Sequence, residues 1–337
     1  MRFPEFSGEW ENTELQYIAP NICSGKDKPT SNGTVALYGS TGIIGMTRLA
    51  SYNEEIVLVA RVGANAGQLQ ITTIPCGVTD NTLIINAKEW NRYIYYYLQH
   101  YNLNRLVFGS GQPLITGSML KKLKIIYGEE SERNKIVNLL CLLDERIATQ
   151  NKIIYKLKSL IRGIAQNMVH RGKPNVRLSD CMICNSSTLQ ESEVLESGTY
   201  PVYGANGIVG YLDCYATLNE AIYIIKDGSG VGTVFYVAGK CSAAGTLNTL
   251  QAKEGYSLQY LYYLLTVFNF EPYKTGMAIP HIYFKDYGKA KVFCPSHSEQ
   301  FKYTKLLSTI DSKLLAEQNA LVNYNLQKQY LLRQMFI

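Results

Sequence analysis

Two regions of the chain carry apolar residues at alternating intervals of four and three positions, which indicates long amphipathic helices. The apolar positions of the first region are Ile136, Leu140, Leu143, Ile147, Ile154, Leu157, Ile161, Ile164 and Met168. Those of the second are Tyr303, Leu307, Ile310, Leu314, Leu321, Tyr324, Leu331 and Met335. This heptad seam is typical of a coiled coil, and a helix of about 35 residues is about 50 Å long.

Each seam needs a partner that covers it. Gln150 and Glu317 occupy matching seam positions, and Lys328 interrupts the second seam where Ile161 continues the first. One interpretation is that each helix folds back on its own globular part. We favour the other, in which the two helices pack together and hold the globular parts apart.

The polar and apolar pattern before the first helix is repeated before the second. "YGSTGIIG" at 38–45 returns as "YGANGIVG" at 203–210, an offset of 165 that later becomes 167. The matching pairs include Gly63 and Gly228, Cys76 and Cys241, Gly109 and Gly276, Pro113 and Pro280, and Asp144 and Asp311. Because solenoid repeats have periods of about 20–50 residues, this spacing indicates duplication of a whole domain.

Each half begins with a part rich in Gly, Asn, Ser and Thr. Short β-type runs at 55–62 and 221–228 predict strands joined by tight turns, and tyrosine-rich helices are expected at 90–101 and 257–268. The predicted organisation is a first globular domain at 1–130, a long helix at 131–170, a second globular domain at 171–297 and a second long helix at 298–337.

Composition narrows the class of protein. Lys and Arg exceed Asp and Glu by 33 to 27, a mild excess that permits a nucleic-acid partner without requiring one. No apolar run reaches about 18 residues, and the opening "MRFPEFSGEW" lacks the apolar core of a secretory signal. We therefore expect a cytoplasmic protein with reduced thiols and no membrane partner.

Catalytic and metal-binding patterns are weak. Cys181 and Cys184 form a CxxC without a second ligand pair, so buried thiols are favoured over zinc. None of the GK dipeptides continues as a phosphate-binding loop, and the Gly-rich stretches read better as turns between strands. Pro75–Cys76 is similar to the nucleophile dipeptide of cytosine methyltransferases, but no cofactor fingerprint accompanies it. We expect no catalytic residue and no metal site.

Several motifs in one order resemble the specificity subunit of type I restriction–modification enzymes. They are the opening "RFPEFSGEW", the duplicated "YG…GI.G" with its following "[RK].G…G", the "G…P" loop before each long helix and the closing "LLRQMF". The resemblance covers nearly the whole chain. It is the order and the repetition of the motifs that make it specific.

The resemblance implies an α+β fold, with two duplicated mixed α/β DNA-recognition domains separated by two long helices that pair as an antiparallel coiled coil. Each domain would read one part of a bipartite, asymmetric target in double-stranded DNA. The chain itself would bind no cofactor. It would dock two modification subunits, which carry S-adenosylmethionine, and through them restriction (translocase/nuclease) subunits that use ATP and Mg.

Two other functions remain open at this point. An orphan DNA methyltransferase would bind S-adenosylmethionine by itself, although cofactor motifs are missing. A non-catalytic coiled-coil adaptor would show no sequence preference for DNA.

Candidate DNA contacts lie where the halves match in framework and differ in polar loop residues. Arg, Lys, Asn and Gln read base edges, while hydroxyl and cationic side chains contact phosphates. In the first half the candidates are Tyr38, Ser40, Thr41, Arg61, Asn65, Ser110 and Gln112. In the second half they are Tyr203, Asn206, Lys226, Ser229, Lys274 and His281. The alternative for each is a turn or solvated surface residue, and the two tyrosines could instead close the core beneath the turn.

Overall fold

The computed structural model describes residues 2–107 and 113–336. The chain divides into two compact units. The first unit comprises residues 1–151 and 320–337, and the second comprises residues 152–319. Each unit therefore combines one globular part with segments of both long helices.

The described part of the first unit contains short strands and helices followed by the start of a long helix. Its strands are β1 (Glu11–Glu14), β2 (Cys23–Ser24), β3 (Val35–Gly39), β4 (Gly42–Thr47), β5 (Val57–Ala60), β6 (Leu69–Ile71), β7 (Cys76–Val78), β8 (Thr82–Ile85) and β9 (Lys124–Tyr127). Its helices are α1 (Leu15–Ile18), α2 (Asn91–Tyr101), α3 (Gly117–Lys121) and the beginning of α4 (Glu130–His170). The sheets have the orders β2-β8-β5-β6, β4-β3-β7 and β1-β9, and the β3–β7 pair is parallel.

The second unit repeats this topology. Its strands are β10 (Val176–Arg177), β11 (Met182–Ser186), β12 (Tyr200–Gly204), β13 (Gly207–Leu212), β14 (Glu220–Ile225), β15 (Val234–Ala238), β16 (Ser242–Ala243), β17 (Leu247–Ala252) and β18 (Lys291–Val292). Its helices are the end of α4, then α5 (Leu178–Cys181), α6 (Leu258–Thr266), α7 (Phe284–Tyr287) and the beginning of α8 (His297–Met335). The sheet orders β11-β17-β14-β15, β13-β12-β16 and β10-β18 match those of the first unit, including the parallel β12–β16 pair. The predicted duplication of a mixed α/β domain is confirmed.

The repeated eight-letter motif forms a hairpin in each unit. It covers the end of β3 with most of β4, and the end of β12 with most of β13. The residue that opens the second strand, Gly42 or Gly207, has φ of 112° or 110°. An L-residue with a side chain rarely adopts this conformation, which explains why both copies place glycine there.

The tyrosine-rich helices predicted at 90–101 and 257–268 form as α2 and α6, and they bury their aromatic faces against the sheets. Tyr93 and Tyr260 are almost fully buried, and burial raises the pKa of both phenols. Each hydroxyl donates to a backbone carbonyl, from Tyr93 to Ile126 at 2.8 Å and from Tyr260 to Phe293 at 2.9 Å. A buried hydroxyl needs such a partner, so the matching bonds fix the helix on the sheet in the same way twice.

The apolar seams of α4 and α8 face inward in both units. In the first unit Leu140 near the start of α4 shares a core with Leu331 and Met335 near the end of α8. In the second unit Met168 near the end of α4 shares a core with Leu307 near the start of α8. The helices therefore pair antiparallel, which confirms the predicted fold class. No helix in 2–107 or 113–336 is both long and apolar enough to cross a membrane.

Candidate nucleic-acid interface

In each unit a Gly-rich loop leaves a central strand and is bonded to the segment 113–115 or to its counterpart 280–282. The first Gly-rich loop connects β5 to β6, and the second connects β14 to β15. The matching backbone bonds run from Gly63 N to Pro113 O (3.0 Å), Gly228 N to Pro280 O (2.9 Å), Ile115 N to Arg61 O (2.9 Å) and Ile282 N to Lys226 O (2.9 Å). The same backbone frame is thus built twice, and it presents different side chains.

Arg61 and Lys226 hold the same position on this frame, directly after β5 and β14. Both side chains are half-buried. Arg61 Nε is buried without a hydrogen-bond partner, and Lys226 Nζ lies 3.5 Å from Ser187 O, at the limit of a hydrogen bond. Within the described ranges neither forms a salt bridge, so no carboxylate would compete with an acceptor such as a phosphate or a base edge that reached either group.

Two other candidates of the second unit already have acidic partners. His281 Nδ1 lies 2.6 Å from Asp227 Oδ1, and Lys274 Nζ lies 2.6 Å from Glu271 Oε1. The Asp227 contact orients the imidazole ring beside the Gly-rich loop.

The hairpin turns carry a second group of candidates. Thr41 and Asn206 are exposed at the two turns, and Ser40 is half-buried. Gln70 Nε2 donates to the carbonyls of Gly39 and Ser40 at 3.0 Å each, which fixes the first turn against β6.

The two tyrosines lie beneath these turns. Tyr38 is 6% exposed and its hydroxyl contacts Thr73 Oγ1 at 3.0 Å. Tyr203 is half-buried and packs edge-to-face on Tyr223, with ring centroids 5.9 Å apart. These positions favour the alternative interpretation, in which both tyrosines close the core.

The remaining candidates are loop residues. Asn65 and Ser229 are exposed at the tips of the two Gly-rich loops. Ser110 and Gln112 lie outside the described residues. The structure therefore brings Arg61 and Asn65 together on one loop, and in the second unit it joins Lys226, Ser229 and His281 on two bonded loops.

The family is decided by the sequence match over both repeats. The profile of the type I restriction modification DNA specificity domain matches residues 2–159 and 173–324. The chain belongs to this family. The two matched ranges follow the two copies of the duplicated domain, and the resemblance seen in the motifs is confirmed.

Individual relatives agree with this membership. A protein named as a type I restriction enzyme specificity subunit in Haemophilus influenzae is 31% identical over 98 residues, which is 28% of this chain and 26% of that protein. The EcoprrI type I restriction enzyme specificity subunit of Escherichia coli is 26% identical over 117 residues, 35% of this chain and 29% of that protein. The matched segments thus span less than a third of either relative.

A solved structure shares the fold over nearly the full length. The S subunit of a type I restriction-modification system from M. genitalium superposes with a TM-score of 0.72 at 19% identity, covering 98% of this chain and 96% of that one. The specificity-domain fold of this chain therefore includes both globular parts and both long helices.

Sequence reasoning missed an apolar tip beside the second-unit candidates. Met277 is fully exposed at 106%, and Ile279 is 58% exposed, on the loop that also carries His281. The candidates were chosen for polar side chains, so Ile279 was left out. The alignment of Ile279 with the candidate Gln112 was the sequence feature that could have pointed to this tip.

The eight cysteines of this specificity-domain protein are free thiols. Cys181 Sγ lies 4.0 Å from Cys294 Sγ, and a hydrogen bond between the two thiols lowers the pKa of Cys181. Burial raises the pKa of Cys184 to about 11 and also raises that of Cys76, which is the opposite of what a nucleophile needs. In the part of the chain that the structure describes, no group of three or more His, Cys, Asp or Glu residues could hold a metal ion.

Proposed function

We propose that this chain is the DNA sequence-specificity subunit of a type I restriction–modification complex, and that its two units read the two parts of a split, asymmetric DNA target. The observation that carries the proposal is the duplicated backbone frame with different side chains. Arg61 and Asn65 on the first frame correspond to Lys226 and Gly230 on the second. Two readers with one architecture and different contacts suit a target whose halves differ.

The chemistry of the frame supports contacts of two kinds. The guanidinium of Arg61 can bind guanine O6 and N7 in the major groove, and the ammonium of Lys226 can serve guanine or a phosphate. Hydroxyl and amide groups at Thr41, Asn65 and Ser229 suit phosphates and position the unit on the duplex. Binding should weaken as salt concentration rises because phosphate contacts release counterions.

The outer faces of the long helices support docking of the modification subunits. Large apolar side chains are exposed on both helices outside the seam. They are Leu142, Tyr155 and Leu160 on α4, and Phe301, Leu306, Leu315, Val322, Leu326 and Tyr330 on α8. Exposed apolar side chains that form a contiguous patch are typical of protein interfaces. A deletion within 136–168 should therefore release the modification subunits in a pull-down, and retention of the subunits would contradict this assignment.

The catalytic activities would belong to the partner subunits. In this proposal the chain has no catalytic activity of its own, S-adenosylmethionine is bound by two modification subunits, and ATP and Mg are used by restriction subunits. The complex would act in the cytoplasm, where its double-stranded DNA substrate is found.

Methylation mapping tests the proposal. The chain is co-expressed with the modification subunit encoded beside it in a host without DNA methylation, and the modified bases are sequenced. We expect a split motif, and replacing residues 1–130 with those of another specificity subunit should change one half only. Methylation by the chain alone would indicate an orphan methyltransferase. A stable complex without methylation would point to an adaptor.

A further inference from the structure

An apolar tip projects from the second unit in the loop between a short 3-10 helix, Glu271–Tyr273, and α7. Met277, Ala278 and Ile279 are consecutive and exposed, and Met277 reaches 106% exposure while Ile279 reaches 58%. Single exposed apolar residues are common on protein surfaces, whereas adjacent ones form a patch that can mark an interaction site.

The tip is held out by backbone bonds at its base. Thr275 and His281 exchange two hydrogen bonds, from Thr275 N at 2.9 Å and from His281 N at 2.7 Å. Pro280 O accepts from Gly228 N at 2.9 Å, which joins the tip to the Gly-rich loop. A loop tied at both ends loses little conformational entropy when its tip binds a partner.

Polar candidates surround the base of the tip. Lys226 precedes the Gly-rich loop, Ser229 is exposed on it, and His281 ends the tip. Ile282, which follows His281, is 1% exposed and donates its N–H to Lys226 O at 2.9 Å. The base of the apolar tip is thus bonded to the loop that carries groups suited to phosphates and base edges.

The same position in the first half is polar. The sequence "GSGQP" at 109–113 corresponds to "GMAIP" at 276–280, so Ser110 and Gln112 face Met277 and Ile279 in the alignment. Both prolines accept a bond from the matching glycine of the Gly-rich loop. The glycine-to-proline bond is thus found in both units, while the sequence before the proline changes from hydrogen-bonding to apolar residues.

We propose that Met277 and Ile279 recognise the C5-methyl group of thymine in the half-site read by the second unit. The inference rests on the proposed function and adds a base preference to it. Thymine presents the one apolar group among the base edges of the major groove, and apolar side chains recognise it there. Burial of one methyl against the tip should strengthen binding about fourfold.

Replacing thymine by deoxyuridine removes only this methyl group, so it tests the contact directly. The complex of the full chain with its modification subunits is titrated with duplexes in which each thymine of the second half-site is replaced in turn. We expect one or two positions at which the replacement weakens binding about fourfold. In a complex carrying Met277→Ala and Ile279→Ala, the same replacements should have no further effect, and the methylated motif should accept other bases at those positions.

Leu218→Ala is the matched control, because Leu218 is 54% exposed in the same unit and lies on a different loop. It should leave the motif and the deoxyuridine effect unchanged. A second half-site without a T·A pair, or deoxyuridine replacements without effect on the wild-type complex, would overturn the inference while the split motif still supports the proposed function. Loss of modification subunits from the double variant would also overturn it and assign the tip to a protein contact. Absence of any methylated motif would instead contradict the proposed function itself.

Discussion

Lys328 Nζ donates a 2.6 Å hydrogen bond to Asp144 Oδ1, and this pair accounts for the lysine that interrupts the apolar seam of α8. Asp144 also accepts a 2.9 Å bond from the hydroxyl of Tyr96, so its carboxylate has a cationic and a neutral donor. In the second unit Asp311 accepts the equivalent bond from Tyr263 at 2.5 Å. Both units therefore contain the tyrosine–aspartate hydrogen bond, and in the first unit the Lys328 ammonium also binds the aspartate.

Lys328→Ile should destabilise the first unit, although it restores the residue type found at the matching position, Ile161. The substitution removes a charge-assisted bond from a carboxylate that is only 34% exposed. We expect the free energy of unfolding to fall by about 1–3 kcal/mol, measured by urea denaturation.

The control is Lys313→Ala, which removes a pair with Glu317 from a lysine that is 63% exposed. Its effect should stay below about 0.5 kcal/mol, as for other surface pairs within one helix. An increase in stability for Lys328→Ile would mean that completing the apolar seam outweighs the lost bond.

Buried tyrosines should make the protein sensitive to alkali. Burial raises the pKa of Tyr93, Tyr223 and Tyr260. Below about pH 10 both states keep the phenolic proton, so the contribution to stability is complete. Above that pH the unfolded chain loses protons first, and stability falls until the folded-state pKa is reached. Each such phenol adds about 1.4 kcal/mol per pH unit to the loss.

Tyr260→Phe separates this effect from packing. At neutral pH it should cost about 1 kcal/mol, since the Phe293 carbonyl loses its 2.9 Å donor. Between about pH 10 and 11 its stability should fall less steeply than that of the wild type, as followed by urea unfolding and tyrosinate absorbance. Equal slopes would show that Tyr260 ionises in the folded state at the same pH as in the unfolded chain.

The fold could be predicted from the sequence because the patterns that indicate it most clearly are local. Heptad spacing and the repeated "YG…GI.G" motif depend on residues close together in the chain, and the long helices and the domain duplication that they predicted were confirmed. The Asp144–Lys328 pair joins residues 184 positions apart, and no periodicity reveals it. Lys328 therefore looked like a defect in the seam until its partner was known.

The candidate site was harder to predict from the sequence, because tyrosine and polar loop residues can either contact DNA or stabilise the fold. Tyr38 has a motif position that suits DNA contact, yet the same phenol can bond to Thr73 beneath the turn. Apolar residues such as Met277 are expected in cores, so sequence patterns do not mark them for exposure. Loop shape decides these cases, and it depends on bonds such as Gly228 to Pro280 that connect distant segments.

Cys181 and Cys294 should form a disulfide under mild oxidation. Their sulfur atoms are 4.0 Å apart, and because both side chains are buried, the reaction requires a transient opening of the second unit that admits the oxidant. A thiolate is the attacking species in exchange with a small disulfide, which releases two thiols as the intramolecular bond forms. Mass spectrometry after treatment with oxidised glutathione should detect a Cys181–Cys294 peptide pair.

Cys294→Ser should abolish this pair, and Cys184→Ser should leave it intact. A mixed disulfide that stays on Cys181 without closing, or no oxidation of either thiol in the folded protein, would contradict the prediction.

Gly276→Ala should disrupt the apolar tip more than Gly228→Ala disrupts the Gly-rich loop. Both glycines have positive φ, 86° and 96°, which costs an alanine about 1 kcal/mol. A Cβ on Gly228 would meet no atom within 4 Å, whereas one on Gly276 would lie 2.3 Å from Ile279 O. Gly276→Ala must therefore move the tip itself. Amide hydrogen exchange at Thr275 and His281 should accelerate in Gly276→Ala and remain near wild type in Gly228→Ala. Equal protection in both variants would show that the 275–281 loop tolerates a different backbone path.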